Sequence, residues 1–199
     1  GFITYKTELS GLINGTTLNL LFGYQPNENW NLYAGAVYQT VDGTVLLRGT
    51  TYSVFNGYDF RTGEDESVGW LAGVAYQIPE IALKASVTYR SEIEHKMNAS
   101  ENFGSAAIPT NPLNPVISTI TSTNSETKLT TPQSINIDFQ TGIMANTVAF
   151  ANVRWVDWSK FKVQPYQFGK LSQYLGQNNL VPNKPNGFNL IDYKEDQIS

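Results

Sequence analysis

The sequence predicts an all-β fold: an antiparallel up-and-down transmembrane β-barrel, of which this chain forms an incomplete half-barrel of about seven strands. Three observations lead there. The first is alternation. Trp30 to Val41, Ser67 to Gln77 and Glu80 to Glu92 each interleave apolar residues with polar or small ones. The third segment shows it most cleanly: one face reads Ile81, Leu83, Ala85, Val87 and Tyr89, the other Ala82, Lys84, Ser86, Thr88 and Arg90. A regular polar face opposite an apolar face rimmed with aromatics suits a strand between lipid and a wet lumen. The second is length, because strands of about 11 residues tilted by about 45° span roughly 25 Å, the height of the apolar band in such barrels. The third is the spacing of connections, in which short turns alternate with long loops three times over, the asymmetry of barrels with tight turns on one side of the membrane.

The elements follow in order. Gly1 to Asn14 alternates without a clean face and reads as the tail of a preceding strand and a loop. Thr16 to Tyr24 is a strand with Leu18, Leu20, Phe22 and Tyr24 outward, and Gln25 to Asn29 turns the chain with Pro and Asn. Trp30 to Val41 returns, and Asp42 to Glu66 is a long connection. Ser67 to Gln77 crosses again, Ile78 and Pro79 turn, and Glu80 to Glu92 ascends. Ile93 to Thr130 is a very long polar loop whose prolines, Pro109 to Pro115, exclude ladder positions. Thr131 to Ile143 descends with Ile135, Ile137, Phe139 and Thr141 outward, and Met144 to Asn146 turns. Thr147 to Trp158 rises with Ala149, Ala151, Val153 and Trp155 outward and Asn152 and Arg154 inward. Ser159 to Gly187 is the third long loop, and Phe188 to Ser199 begins another strand. Laid antiparallel, the aromatics sort into two girdles: Tyr24, Trp30 and Tyr76 at the short-turn end, and Tyr38, Trp70, Tyr89 and Trp155 at the other.

Composition sets the limits. A chain of 199 residues with 41% hydrophobic and 13% aromatic content is one folded domain, not a disordered tail. Without cysteine and with a formal net charge of -4, it carries no disulfide scaffold, structural zinc site or nucleic-acid surface. No apolar run approaches the roughly 18 residues of a membrane helix. A mean hydropathy of -0.27 hides a barrel, whose lumen faces and loops are polar. The chain opens at Gly1 without a leader and stops inside the alternating stretch Asn189 to Ser199, so it is expected to be residues 1–199 of a partial barrel domain in a longer protein.

Four stretches carry a resemblance. They are Val87-Thr88-Tyr89-Arg90-Ser91-Glu92, Leu129-Thr130-Thr131-Pro132, the run Val153 to Phe161 (Val-Arg-Trp-Val-Asp-Trp-Ser-Lys-Phe), and Tyr193-Lys194-Glu195-Asp196. In order and spacing, over most of residues 16 to 199, they resemble the long-chain fatty-acid outer-membrane transporter family, FadL-like, which includes aromatic-hydrocarbon uptake channels. The resemblance implies a fourteen-stranded barrel in the outer membrane of a Gram-negative bacterium, closed inside by an N-terminal hatch with an Asn-Pro-Ala motif. It implies passive uptake of hydrophobic compounds, long-chain fatty acids first among them, through a loop groove and a lumen pocket. This chain contains no Asn-Pro-Ala and no candidate hatch, so it corresponds to the middle of such a barrel. The rival reading is a structural or adhesive barrel whose long loops bind a partner.

Candidate ligand residues form two groups. Lys84, Arg90 and Arg154 point to the lumen by the alternation, where a cation either holds a fatty-acid carboxylate or pairs with a carboxylate of hatch or wall. Leu46, Leu47, Val54, Phe55, Tyr58 and Phe60 sit in the first long connection, where apolar surface either lines a greasy groove joined to the lumen or packs onto neighbouring loops. His95, the single histidine, lies beside Ser91, Glu92 and Glu94; no serine is activated near it, and it reads as a solvated bystander. No phosphate-binding glycine loop or metal-ligand spacing occurs, so neither cofactor nor catalytic step is expected. The expected partners are membrane lipid and lipopolysaccharide around the wall and a hydrophobic small molecule within it, with no nucleic acid and a monomeric full-length barrel.

Overall fold

The computed structural model describes residues 8–103, 122–144 and 146–199. Its strands, in chain order, are β1 (Glu8–Tyr24), β2 (Trp30–Arg48), β3 (Asp59–Thr62), β4 (Asp65–Ile78), β5 (Leu83–Arg90), β6 (Ile93–Asn102), β7 (Ser122–Thr131), β8 (Ser134–Met144), β9 (Thr147–Val156) and β10 (Lys162–Val163). The helix α1 (Tyr166–Gln177) and two short strands, β11 (Ile191–Asp192) and β12 (Gln197–Ile198), complete the chain. Every pairing is antiparallel. The main sheet runs β12-β9-β8-β5-β4-β2-β1, and β3, β6 and β7 extend it beyond the loop-side ends of β4, β5 and β8. Among the described residues β1 pairs with β2 alone and β12 with β9 alone, so the sheet does not close on itself. This is the incomplete barrel wall that the sequence predicts.

The alternation becomes two facing rows of the same ladder. Tyr24, Leu32, Val74, Val87, Ile137 and Val153 stand in register across six strands on the outer face. One position along, Tyr33, Gly73, Thr88, Asn136 and Arg154 stand in register on the inner face. Large outward side chains are left bare, Phe22 at 71% exposure and Tyr24 and Trp30 with it, as an apolar band requires. The girdle rings touch: Trp30 and Tyr76 have centroids 4.9 Å apart, and Trp70 and Tyr89 5.1 Å. The three tight turns fall at one end, the second as a short 3-10 turn Pro79–Ile81 closed by Ala82 at φ 51°. On the inner face the Tyr33 ring covers Gly73, where a Cβ would come within 2.3 Å of it, and its hydroxyl meets Thr88 Oγ1 at 2.5 Å.

Four expectations about connections need correction. Residues 8–14 are paired strand, because β1 is matched to β2 as far as Glu8 opposite Arg48. Asp42 to Glu66 is not a loop throughout: β2 continues to Arg48, a 3-10 turn follows at Thr50–Phe55, and β3 returns. Ile93 to Thr130 contains the paired strands β6 and β7, ten residues on each side, and its Pro-rich stretch, Pro109 to Pro115, lies outside the described residues, as do residues 1–7 and Ala145. Phe188 to Ser199 forms only the two-residue strands β11 and β12, and the loop before it holds α1.

A row of bulges marks the level at which the loop-side strands begin. Between Val41↔Asp65 and Thr44↔Arg61, two residues of β2 oppose three, Thr62, Gly63 and Glu64, so one residue is extra. The neighbouring pairs keep a single register on both sides of the breaks at Ser91-Glu92 and Pro132-Gln133, from Lys84↔Gln140 through Asn102↔Ser122, so those strands carry the same extra residue. A slip of one residue moves every side chain to the other face. Even positions face inward on β5, as Arg90 does, but odd positions do so on β6, where Ile93, His95, Met97 and Ala99 are buried.

Above the bulges the inward face is dry. Val41, Val45, Leu47, Phe55, Tyr58, Phe60, Met97, Phe103 and Leu129 pack with Phe168, Leu171 and Leu175 of α1 into one cluster. Phe168, Leu171, Ser172 and Leu175 fall on one helical face at i, i+3, i+4 and i+7, which is why this segment coils where its neighbours pair. Buried Glu101 starts the helix: its carboxylate accepts the Gln167 and Phe168 N–H groups at 2.9 and 2.8 Å and the hydroxyls of Tyr58 and Ser125 at 3.0 and 3.1 Å. Burial, then the Glu101 charge, pushes the Tyr58 hydroxyl well above its ordinary range.

Candidate functional site

Beneath this core the concave face of the wall lines a half-open cavity of about 830 Å³. Its apolar surface comes from Val37 and Val41 on β2, Ile93, Leu129, Val156 and Phe161. Its polar side chains include Asn19, Gln39, Thr131, Ser134, Arg90 and Arg154, with no aspartate or glutamate among the described lining residues. Arg90 Nη1 donates to Asn19 Oδ1 at 3.0 Å. Those residues lie on β5 and β1, which are separated in the sheet by β4 and β2, so the wall curls enough for one side chain to bridge its concavity. Arg90 and Arg154 also share a recess of about 260 Å³ with Thr88, Ser134 and Asn136. Among the described residues the Arg154 guanidinium has no hydrogen-bond or ion-pair partner. The lumen-facing carboxylate of Asp138 on β8 is occupied, since it accepts from Asn136 Nδ2 at 2.6 Å and Asn152 Nδ2 at 2.5 Å.

The structure therefore unites two of the three expected cations and separates the third. Lys84 faces inward as expected but borders a different recess, of about 360 Å³, with Gln25, Asn31, Gln77 and Ser86 near the short turns. The apolar residues of the first connection lie elsewhere again. Tyr58 has no exposed surface, and Leu47, Phe55 and Phe60 are buried with it among the rings of Phe103 and Phe168, while Leu46 faces away, half-buried. Of the two readings of this segment, open groove or packing onto its neighbours, the structure shows the packing, in a closed core that β6, β7 and α1 cover.

His95 also departs from expectation. It is not solvated: its exposure is 0%, its Nδ1 meets Asp65 Oδ2 and its Nε2 meets Gln39 Oε1, both at 3.0 Å. The bulge at Ser91-Glu92 turns it inward, against the parity of β5. Sequence reasoning missed Gln39 and the Asp65 partner; the inward parity of Val37 and Val41 marks Gln39, but only the register marks Asp65.

At the cavity rim two of the quoted stretches prove to be partners. Asp157 accepts from Lys160 Nζ at 2.7 Å and from Gln133 Nε2 at 2.9 Å, tying the end of β9 to the start of β8. The Lys160 hydrogen bond first, then Gln133, holds its carboxyl below the usual carboxylate range, and Asp157 in turn raises Lys160. Asp196 accepts from Trp155 Nε1 and from the Ser159 N–H, both at 3.1 Å, and the Tyr193 ring packs on Trp158 with centroids 5.2 Å apart. The Val153 to Phe161 run and the Tyr193 to Asp196 segment thus form one latch.

Comparison with known proteins agrees with this architecture. Residues 7–181 match the family described as outer membrane protein transport protein (OMPP1/FadL/TodX). No curated protein sequence matches the chain. Among solved structures, the chain is similar to the CymD monoaromatic hydrocarbon channel, with a TM-score of 0.53 at 13% identity over 79% of this chain and 50% of that one. It is also similar to the Ralstonia pickettii toluene transporter TbuX, with a TM-score of 0.51 at 9% identity over 75% of this chain and 42% of that one. The chain spans half the length or less of both, and at these identities the likeness shows the fold alone.

Proposed function

The chain belongs to the outer membrane protein transport family of FadL and TodX, proteins of the Gram-negative outer membrane, and on that premise we propose that its cavity is a lumen site for passive uptake of hydrophobic compounds bearing an anionic or acceptor end, long-chain fatty acids first among them. One observation supports the finer part: two guanidinium groups, one of them without a partner among the described residues, face a largely apolar cavity lined by no described carboxylate side chain. A neutral hydrocarbon needs no cation. A fatty-acid carboxylate forms charge-assisted hydrogen bonds with Arg90 and Arg154 while its chain lies along Val37, Val41 and Ile93. Lys84, nearer the short turns, is a third cation further along the route. Leu47, Phe55, Tyr58 and Phe60 serve as the ceiling over the site in this reading, with no direct hold on the ligand, and Leu46, which faces away from it, has no part in the site. No chemistry is assigned to the chain, and both ring nitrogens of His95 are engaged by groups other than serine.

The test is uptake of radiolabelled oleate and toluene by cells carrying the full-length protein. Replacing Arg90 and Arg154 together by Met should lower oleate uptake about tenfold, roughly one charge-assisted hydrogen bond, and leave toluene unchanged. Equal effects on both compounds would overturn the anionic-end reading. No uptake of either by the wild-type protein would favour a structural or adhesive barrel.

A further inference from the structure

Five side chains beside the cavity form a hydrogen-bond chain that no step of passive passage requires. Asp65 Oδ2 accepts from His95 Nδ1 at 3.0 Å and from the Lys96 N–H at 3.3 Å. Gln39 Oε1 receives His95 Nε2 and the Thr131 hydroxyl, both at 3.0 Å, while Gln39 Nε2 donates to Thr17 Oγ1 at 3.3 Å. Gln39, Thr17 and Thr131 all line the cavity; His95 is wholly buried behind them.

The imidazole in this arrangement faces two acceptors, a carboxylate and an amide carbonyl. Only a doubly protonated ring satisfies both, because a neutral ring donates from one nitrogen. On losing a proton the ring keeps Nδ1–H on Asp65, the stronger acceptor, and Nε2 becomes an acceptor that needs a donor. Gln39 can supply one by turning its carboxamide through half a revolution. The hydroxyls of Thr17 and Thr131 each donate or accept, so both follow the turn without losing a bond. We propose that His95 is a positioning residue for the cavity, whose protonation state sets which end of the Gln39 carboxamide meets the cavity wall: the N–H end when the ring is charged, the carbonyl end when it is neutral. The wall then favours compounds with a bare acceptor, such as a ketone or carboxylate, on the acid side, and disfavours them on the alkaline side. Histidine is the side chain whose ordinary charge change falls between pH 5 and 8.

The surroundings contain one charge in contact with the ring. Asp65 on β4 touches it; Glu66 on β4, Glu94 and Lys96 on β6 and Lys128 on β7 turn outward and are exposed, and β2 presents Gln39, with Thr17 of β1 beyond it. The role in selectivity rests on the channel reading above, whereas the amide turn can be observed without it.

The experiment uses the full-length protein in detergent micelles. The Gln39 side-chain amide is followed by nitrogen-15 NMR, assigned by its loss in Gln39→Met, and the His95 ring by its loss in His95→Gln. Equilibrium binding of acetophenone and toluene, neutral at every pH used, is measured alongside. The Gln39 amide resonance should move with the same midpoint as the His95 ring. The acetophenone-to-toluene affinity ratio should fall about fivefold between pH 5.5 and 8, the worth of one neutral hydrogen bond. In His95→Gln the ratio should be flat. An amide resonance indifferent to the ring's titration would overturn the proposal whatever the binding shows, as would the same pH-dependent ratio in His95→Gln. Coupled titration without binding of either compound would instead overturn the reading of the cavity as a compound site, and with it the role of His95 in selectivity.

Discussion

The lower and upper halves of β2 use the same alternation for opposite ends. From Trp30 to Tyr38 the even positions are apolar and bare, facing outward between the two girdles, and the odd ones carry Tyr33, Gly35 and Val37. From Thr40 to Arg48 the odd positions Val41, Val45 and Leu47 are the apolar ones, buried under β6, β7 and α1, and the even ones are mostly polar. The strand does not change; what surrounds it does. Lipid accepts an apolar outer face without packing against it in one geometry, whereas the loop-side core is held by ring-on-ring contacts and a buried carboxylate, where volume and hydrogen bonding both matter. The wall should therefore respond to charge and the core to shape.

Shape gives the largest expected effect. Phe168→Ala removes a ring whose centroid lies 4.4 Å from that of Phe55 and should cost about 3–5 kcal/mol. The loss should be confined to α1 and the paired strands β6 and β7. Hydrogen exchange on the full-length protein should show protection lost there and retained in β4, β5 and β8; uniform loss would show that wall and core are one cooperative unit and break the comparison.

Charge comes next. Val87→Arg, mid-row on the outer face, should cost about 2–4 kcal/mol in reversible unfolding from lipid, while Ser86→Arg, one residue away and inward, should cost about 1 kcal/mol or less. Equal costs would remove the lipid-facing assignment. Gly73 cannot serve as the inward control, although its parity suits, because any side chain there displaces the Tyr33 ring.

The smallest effect sharpens the boundary between the halves, where Asp157 and Lys160 form the latch. A carboxyl held below its ordinary value contributes stability above that value and loses it as pH falls through the lowered one; the raised Lys160 contributes below its ordinary 10.5 and loses it only as pH rises above that. Lys160→Met should leave the fold intact at neutral pH and move the acid midpoint of the latch upward, followed through the Trp158 indole resonance. An unmoved midpoint would assign the lowering to Gln133 and Ser159 instead.

The sequence by itself determined the wall: its strands, its girdles, its tight turns at one end, and the inward aim of Lys84, Arg90 and Arg154. All of these follow from a period of two, which local residue order encodes completely. Four of its stretches also carried the family, and only the structure shows that two of them, Val153 to Phe161 and Tyr193 to Asp196, are partners in one latch, where Asp196 meets Trp155 and Ser159 and Tyr193 packs on Trp158. Tertiary structure alone decided which cations meet, that the aromatics of residues 42–66 are core, and that His95 is buried against Asp65 and Gln39. One extra residue at Gly63-Glu64, repeated at Ser91-Glu92 and Pro132-Gln133, exchanges the two faces of three strands at a single level. Whether such a residue is looped out or paired depends on the partner strand's register, a relation between positions distant in the chain, and parity counted along one strand does not contain it.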